Sequence, residues 1–301
     1  MLTKVLIFML NYFLSVGFFM FMERKILGVG HMREGPNKIS LKGIFQFFMD
    51  MIKLLMKNLL MLINTFYLIY LIFPLLMFFN MILLWFIIPF IFIFINTKIS
   101  MIFLIVLLVL KMIIIIVLVY FLYSVYSYLS VIRMIIQVVS YDIVIILVLI
   151  CFIMVYNNLS LKVFIYDYFN TKFLFNFYLY IFWNLSLMVE LIRLPFDFYE
   201  GESELISGFN IEFSSFLFVF IVLIEYMEMI YFMFLSVLMF FYGNFNLLLF
   251  YFILFILIFV LIWFRVFFVR YRLDKMLMLL WKYIFPLFMF FILFYYFINF
   301  F

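Results

Sequence analysis

Long apolar runs limit the fold of this chain more than any other feature. No charged side chain occurs from Leu68 to Ile95, and similar runs recur along almost the whole sequence. About 20 apolar residues are enough to cross the hydrocarbon core of a bilayer as a helix. Only 11% of the 301 residues are charged, against roughly a quarter in an average soluble domain. The sequence therefore predicts an all-α integral membrane protein.

We predict about eight transmembrane helices in a single domain, residues 1–301. The first apolar run is too long for the apolar core of a signal peptide and lacks a small-residue cleavage site, so it is interpreted as the first span. The predicted spans lie near residues 2–22, 66–88, 99–120, 135–156, 173–192, 213–240, 247–264 and 276–299.

Residues 42–60 are apolar but carry one polar stripe. Lys42, Gln46, Asp50 and Lys53 recur at three- or four-residue spacing, which places them on one face of a helix. This pattern is typical of an amphipathic helix in the membrane interface. A tilted ninth span with a buried polar stripe is the alternative.

Positive charge is concentrated on one side of the predicted bundle. Most of the 19 lysines and arginines fall in four connections that alternate to the same face. The positive-inside rule then places these connections in the cytoplasm or the mitochondrial matrix, with both termini on the far side. The four connections are Glu23–Thr65, Phe121–Met134, Arg193–Glu212 and Arg265–Lys275.

The composition excludes several kinds of redox site. With one cysteine and one histidine, the chain alone cannot ligate an iron–sulfur cluster, a closed zinc site or a bis-histidine haem. Any redox centre that it serves must lie on another chain. Alanine is absent, which indicates the nucleotide bias of an AT-rich, organellar gene.

Acidic side chains are dense in the third charged connection. Asp197, Glu200, Glu202 and Glu204 lie close together after Arg193. Like charges raise one another's pKa in a partly desolvated site, so such a loop can hold and relay protons. A solvated acidic loop is the alternative.

Other ionisable residues fall within or at the edge of predicted spans: Asp142, Glu190, Glu225, Glu228 and the cation Lys111. An ionisable side chain is costly in lipid and is a functional hypothesis by default. A structural pair between Lys111 and one of the acids is the alternative.

Three segments together resemble one known family. They are ERKILGVGHMREGPNKISLKGIFQFFMDMIKLLMKN from Glu23, VELIRLPFDFYEGESELISGFNIEF from Val189, and WFRVFFVRYRLDKMLMLLWKYIFP from Trp263. They are similar, in order and spacing, to the charged loops of subunit 1 of the proton-pumping NADH:ubiquinone oxidoreductase, respiratory complex I, of the mitochondrially encoded type. Arg133, Gln137 and the stretch Ser140-Tyr141-Asp142 resemble a fourth, sparser pattern.

The resemblance implies a function in the mitochondrial inner membrane. A subunit of this kind forms the membrane part of the ubiquinone chamber and couples quinone reduction to proton translocation, with ubiquinone as substrate and no bound cofactor. NADH, FMN and iron–sulfur clusters are expected on other subunits. The implied partners are the hydrophilic-arm subunits of the quinone site and terminal cluster, neighbouring membrane-arm subunits and the lipid bilayer, without nucleic acid.

The resemblance also implies site residues. The residues expected at the quinone chamber are Glu23, Arg24, Lys25, Arg33, Gln46, Asp50, Phe209, Arg265, Arg272 and Asp274. Those expected in the proton-coupling network are Asp142, Glu190, Arg193, Asp197, Glu200, Glu202, Glu204 and Glu225.

Some positions depart from the family pattern. Phe47 stands where the family usually has proline, and Ile192 replaces a polar residue beside Arg193. Lys111 and Glu228 have no family counterpart. The alternative functions are the membrane subunit of an ion-translocating hydrogenase, without quinone, and a secondary transporter. The second would require broken helices in two corresponding halves, and no such repeat is present.

Overall fold

A computed structural model gives the architecture of the chain. It describes residues 2–37, 41–57, 67–88, 98–122, 124–162, 173–198, 208–241 and 248–300. The described residues are helical or lie in short connections, and none of them is in a β-strand. The predicted all-α class is confirmed.

Ten α-helices follow one another along the described chain. Helices α1 to α5 are Leu2–Gly30, Gln46–Met56, Tyr67–Ile87, Ser100–Val119 and Val125–Tyr156. Helices α6 to α10 are Phe173–Glu190, Ser215–Ser236, Leu248–Phe267, Leu273–Met278 and Phe285–Phe300. A π-helical segment, Val237–Phe241, continues α7, and another, Leu279–Ile284, joins α9 to α10.

Seven helical stretches in the described ranges are long and apolar enough to cross a membrane. They correspond to seven of the eight predicted spans. The remaining predicted span, 173–192, is observed as helix α6, which packs against α5. The expectation of about eight membrane helices therefore matches the architecture, with the eighth present as a helix of 18 residues.

Several helices extend beyond their predicted bounds at the charged end of the bundle. Helix α1 continues through Glu23 to Gly30 instead of ending near Met22. Helix α5 starts at Val125 instead of near 135, and its 32 residues give a length of about 48 Å. The length of an apolar run predicts only the part of a helix that lies in hydrocarbon. It therefore does not predict how far a helix continues into charged sequence.

Helix α7 occupies the centre of the bundle. It contacts α1, α2, α3 and α8, while α5 packs against α4 and α6. Almost every residue of α7 beyond its first turns is buried, including Met227, Tyr231 and Phe232. A helix that is apolar on all sides is expected in such a position. The polar groups that α7 carries are consequently forced against other helices.

A helix is present where the interfacial helix was predicted, as α2, and it is shorter than expected at both ends. Its place in the membrane interface stays a prediction. Residues 58–60 of the prediction lie outside the described residues, and the preceding turn Leu41–Gly43 is a separate 3₁₀ segment. Helix α2 lies against α1 and α7. Its Phe47 is 7% exposed and faces Gly17 of α1, where an added Cβ would come within 2.5 Å of the phenyl ring.

Gly17 therefore lets α2 approach α1. We expect Gly17→Ala to destabilise this contact by about 1–3 kcal/mol, the usual range for overpacking, because the methyl group and the Phe47 ring would occupy the same space. The check is the midpoint temperature of thermal inactivation of the membrane-embedded protein. The double variant Gly17→Ala/Phe47→Leu should recover most of the loss, and no recovery would contradict the close contact.

Candidate functional site

Glu23 is the centre of a buried charge cluster at the charged end. Its side chain is 3% exposed and accepts hydrogen bonds from Arg265 and, at 3.5 Å, from Arg193. The Tyr226 hydroxyl lies near the same carboxylate, and the Arg193 guanidinium lies 4.7 Å from the centre of the Tyr226 ring. We call Glu23, Arg193, Tyr226 and Arg265 the Glu23 cluster. It joins α1, α7, α8 and the connection after α6.

The connection after α6 is fixed from two sides. Gln137 of α5 donates to the carbonyls of Val189 and Phe196, at 2.7 and 2.9 Å. The backbone N–H of Tyr271 donates to the carbonyl of Pro195 at 2.9 Å. These bonds satisfy backbone groups that have no helical partner, and they hold the chain on either side of Arg193 in place.

A second buried cluster lies deeper in the bundle. The ammonium group of Lys111, on α4, donates to Glu190 at 2.5 Å and also to Glu228. The four side chains Lys111, Asp142, Glu190 and Glu228 are between 1% and 7% exposed, and we call them the Lys111 cluster. They come from α4, α5, α6 and α7, so the cluster joins four helices.

Asp142 completes this cluster without a hydrogen-bond donor. Its carboxyl group lies against that of Glu190, and neither oxygen receives a hydrogen bond from the described residues. Two ionised carboxylates are acceptors only, so a hydrogen bond between them requires a proton on one of them. The arrangement favours a proton held between Asp142 and Glu190.

A partly open pocket adjoins the Lys111 cluster. It spans about 480 Å³, open space at its mouth included, between α3, α4, α5 and α7, and its wall is apolar except for Lys111, Glu225 and Glu228. Ile192 reaches the same pocket from the connection after α6. The three charged side chains supply the polar partners that a water molecule needs in such a recess.

The sequence matches, over residues 3–296, the protein family described as NADH dehydrogenase. The chain belongs to the NADH dehydrogenase family. Curated relatives named NADH-ubiquinone oxidoreductase chain 1 match most of the chain, and three of them illustrate the similarity. The protein of Apis mellifera ligustica is 33% identical over 99% of this chain and 97% of its own length. That of Aedes aegypti is 32% identical over 91% and 88%, and that of Rhipicephalus sanguineus 35% over 93% and 89%.

Within this family member, some of the predicted chamber residues meet and others do not. Glu23 and Arg265 are in the Glu23 cluster. Arg24 instead leaves the cluster and pairs with Asp50 of α2 at 2.8 Å, both side chains being more than 40% exposed. Lys25, near the end of α1, donates to Asn37 in the following segment at 2.5 Å.

The structure does not place the remaining predicted chamber residues in either cluster, where their side chains are described. Gln46 is half-buried on α2, while Arg33, Arg272 and Asp274 are exposed. Phe209 lies in the 3₁₀ segment Gly208–Glu212, and its side chain is outside the described part. Their place in a quinone chamber stays a prediction.

Of the predicted coupling residues, Asp142 and Glu190 lie in the Lys111 cluster, and Arg193 lies in the Glu23 cluster. Glu225 lines the adjoining pocket, and Asp197 is partly buried in the connection after α6. The predicted acids Glu200, Glu202 and Glu204 lie outside the described residues.

Two members of the Lys111 cluster are absent from the predicted site residues. Lys111 and Glu228 are ionisable groups within predicted spans, but the sequence indicates no role for them. The alternative of a Lys111–acid pair is the arrangement observed, with Lys111 bonded to two acids at once. The sequence contains one signal for this pairing: a lysine and a glutamate both fall within predicted spans, and neither has a role in the family pattern. Each charge lowers the free-energy cost of burying the other, so the two could have been predicted to lie together.

Glu212 is a further buried acid with a different environment. It accepts hydrogen bonds from the Ser124 backbone at 2.8 Å and from the Ser127 hydroxyl at 2.5 Å. Ser124 is the N-cap of α5, and an acid beside a helix N-terminus stabilises it. Glu212 thus helps to fix the start of α5.

Proposed function

We propose that this chain is the quinone-chamber and coupling subunit of a proton-pumping NADH:ubiquinone oxidoreductase in the mitochondrial inner membrane. Its charged loops face the matrix and both termini face the intermembrane space. Ubiquinone is the substrate, and electrons reach it from NADH through FMN and iron–sulfur clusters on partner subunits. The names of the relatives support the enzyme, and the buried charges support the coupling role.

The contiguity of the two clusters is the observation that carries this proposal. Glu190 and Arg193 are three residues apart, and Tyr226 and Glu228 on α7 are two residues apart. The Glu23 cluster and the Lys111 cluster therefore share α7, and they also lie on either side of the end of α6. A change of charge at the first can reach the second without crossing lipid-exposed surface, since interactions between charges are strong where water is excluded.

Helix α2 supports entry of a lipid-soluble substrate beside the Glu23 cluster. It lies against α1 and α7 and is linked to α1 through Arg24 and Asp50. Several of its apolar side chains, including Met49, Ile52 and Leu55, are about half exposed. An amphipathic helix of this kind lies at the boundary between lipid and the charged end, where a ubiquinone head group could pass from lipid to protein.

Photolabelling tests the quinone assignment. Inner membranes that contain the assembled enzyme would be labelled with an azido-ubiquinone, and peptides of this chain would be mapped. We expect label within residues 23–57 or 191–212 that excess ubiquinone removes. Peptides covering residues 157–162, at the opposite end of the bundle, serve as the control. Label confined to a neighbouring subunit would contradict a quinone chamber in this chain.

A further inference from the structure

The Lys111 cluster contains more acid than its single cation can balance. One ammonium group, on Lys111, lies among the three carboxyl groups of Asp142, Glu190 and Glu228, all less than 9% exposed. Full ionisation would leave two uncompensated negative charges in a buried site, which is strongly unfavourable. Electrical neutrality requires protons on two of the three carboxyl groups.

The contacts assign the first of these protons. Asp142 is the member that receives no hydrogen bond from the described residues, whereas both glutamates accept from Lys111. A carboxylate without a donor is the costliest to leave ionised. The proton therefore belongs on Asp142, which can donate it to the adjacent Glu190.

The second proton has two equivalent positions. Glu190 and Glu228 both bond to the same ammonium group, so whichever of them is ionised pairs with Lys111 and the other carries the proton. Glu190 continues to Asp142, and Glu228 faces the pocket that Glu225 also lines. The two positions thus belong to two different branches of acids.

We propose that Lys111 is a positioning residue whose ammonium group alternates between Glu190 and Glu228 and so links the Asp142 branch to the Glu225 branch. In the step, one proton moves from protonated Glu228 to ionised Glu190 through the ammonium group of Lys111, which bonds to both acids. Lys111 gives a proton to Glu190 and takes the proton of Glu228, so Glu190 becomes neutral and Glu228 ionised. No electrons are exchanged, and Lys111 carries the same charge before and after the step. Because Lys111 already touches both acids, the charge can move with little displacement of the side chain. This inference rests on the proposed coupling function.

Two variants separate this role from a purely structural pair. Lys111→Met removes the cation, and Lys111→Met/Glu228→Gln removes the cation together with one acid. Each would be measured in the assembled enzyme for the amount of complex, the rate of quinone reduction and the number of protons translocated per quinone reduced. Lys282→Met, which removes an exposed lysine from the segment joining α9 and α10, is the matched control.

We expect the double variant to recover assembly close to the level of the control while the proton ratio stays at least about twofold lower. Recovery of both assembly and the proton ratio would overturn the proposal. It would mean that Lys111 and Glu228 only balance each other's charge, because the double variant removes both charges together. If Asp142→Asn and Glu190→Gln also left the ratio unchanged, the coupling function itself would be refuted. A normal ratio in the Lys111 variants alone would refute only the alternation.

Infrared spectroscopy gives a second test that does not depend on the Lys111 variants. The change in the protonated-carboxyl band on quinone reduction would be recorded for the natural enzyme and for Glu228→Gln, which preserves side-chain shape. In the natural enzyme, one carboxyl band should appear and another should disappear on quinone reduction, and both should shift in deuterated water. We expect Glu228→Gln to remove this pair of bands. An unchanged spectrum would contradict proton transfer between Glu228 and Glu190.

Discussion

Glu23→Gln is expected to weaken the charged end of the bundle by about 3–5 kcal/mol, the cost of leaving buried charges without their partner. Glutamine has nearly the same shape but no charge, so the guanidinium groups of Arg193 and Arg265 would face each other without the carboxylate that lies between them. We expect less assembled complex and a lower midpoint temperature of thermal inactivation.

Asp50→Asn is the matched control for Glu23→Gln. Asp50 also pairs with an arginine, Arg24 at 2.8 Å, but both side chains are more than 40% exposed. Exposed pairs contribute about 0–1 kcal/mol, so this variant should lose little stability. Adding Arg265→Gln to Glu23→Gln removes one uncompensated charge and should restore part of the loss. Equal midpoint temperatures for Glu23→Gln and Asp50→Asn would contradict the role of the Glu23 cluster.

The sequence predicted the membrane architecture because hydrophobic length and helix length are directly related. It located the apolar centres of the spans well and their charged ends poorly. Glu23 illustrates the difference: hydropathy placed it in a loop, whereas it lies within α1. A helix can continue past the hydrocarbon when its polar side chains find partners, and those partners are distant in sequence.

The sequence could not show which charged side chains pair with one another, because the paired residues are far apart along the chain. Arg265 is 242 residues from Glu23, and Lys111 is 117 residues from Glu228. No local spacing rule relates such positions. The resemblance to known loops supplied Glu23, Asp142 and Glu190 as candidates, but it could not supply Lys111 and Glu228, which have no counterpart in the family pattern.

The packing of α2 is a further feature that could not be predicted from the sequence. A polar stripe correctly indicated an amphipathic helix in the first charged loop. The packing of that helix depends on Gly17 of α1, which leaves space for Phe47. Phe47 thus fills the space that Gly17 leaves open.

Glu190→Gln is expected to have the largest effect on coupling. Glu190 is 1% exposed and is the one described acid that touches both Lys111 and Asp142. Glutamine can still accept a hydrogen bond from Lys111, but it cannot carry the proton that passes between the two branches. A positioned acid or base contributes on the order of 10²-fold or more to proton transfer, so coupled turnover should fall by about a hundredfold.

Glu212→Gln distinguishes coupling from the general effect of removing a buried acid. Glu212 is 8% exposed and bonds to Ser124 and Ser127 at the start of α5. Its replacement should cost about 0.5–2 kcal/mol of stability, the range for a helix cap, and leave the number of protons translocated per quinone unchanged. Proton translocation and quinone reduction would be measured together in reconstituted vesicles. If Glu190→Gln and Glu212→Gln lost proton translocation equally, burial alone would explain the loss, and Glu190 would not carry the coupling proton.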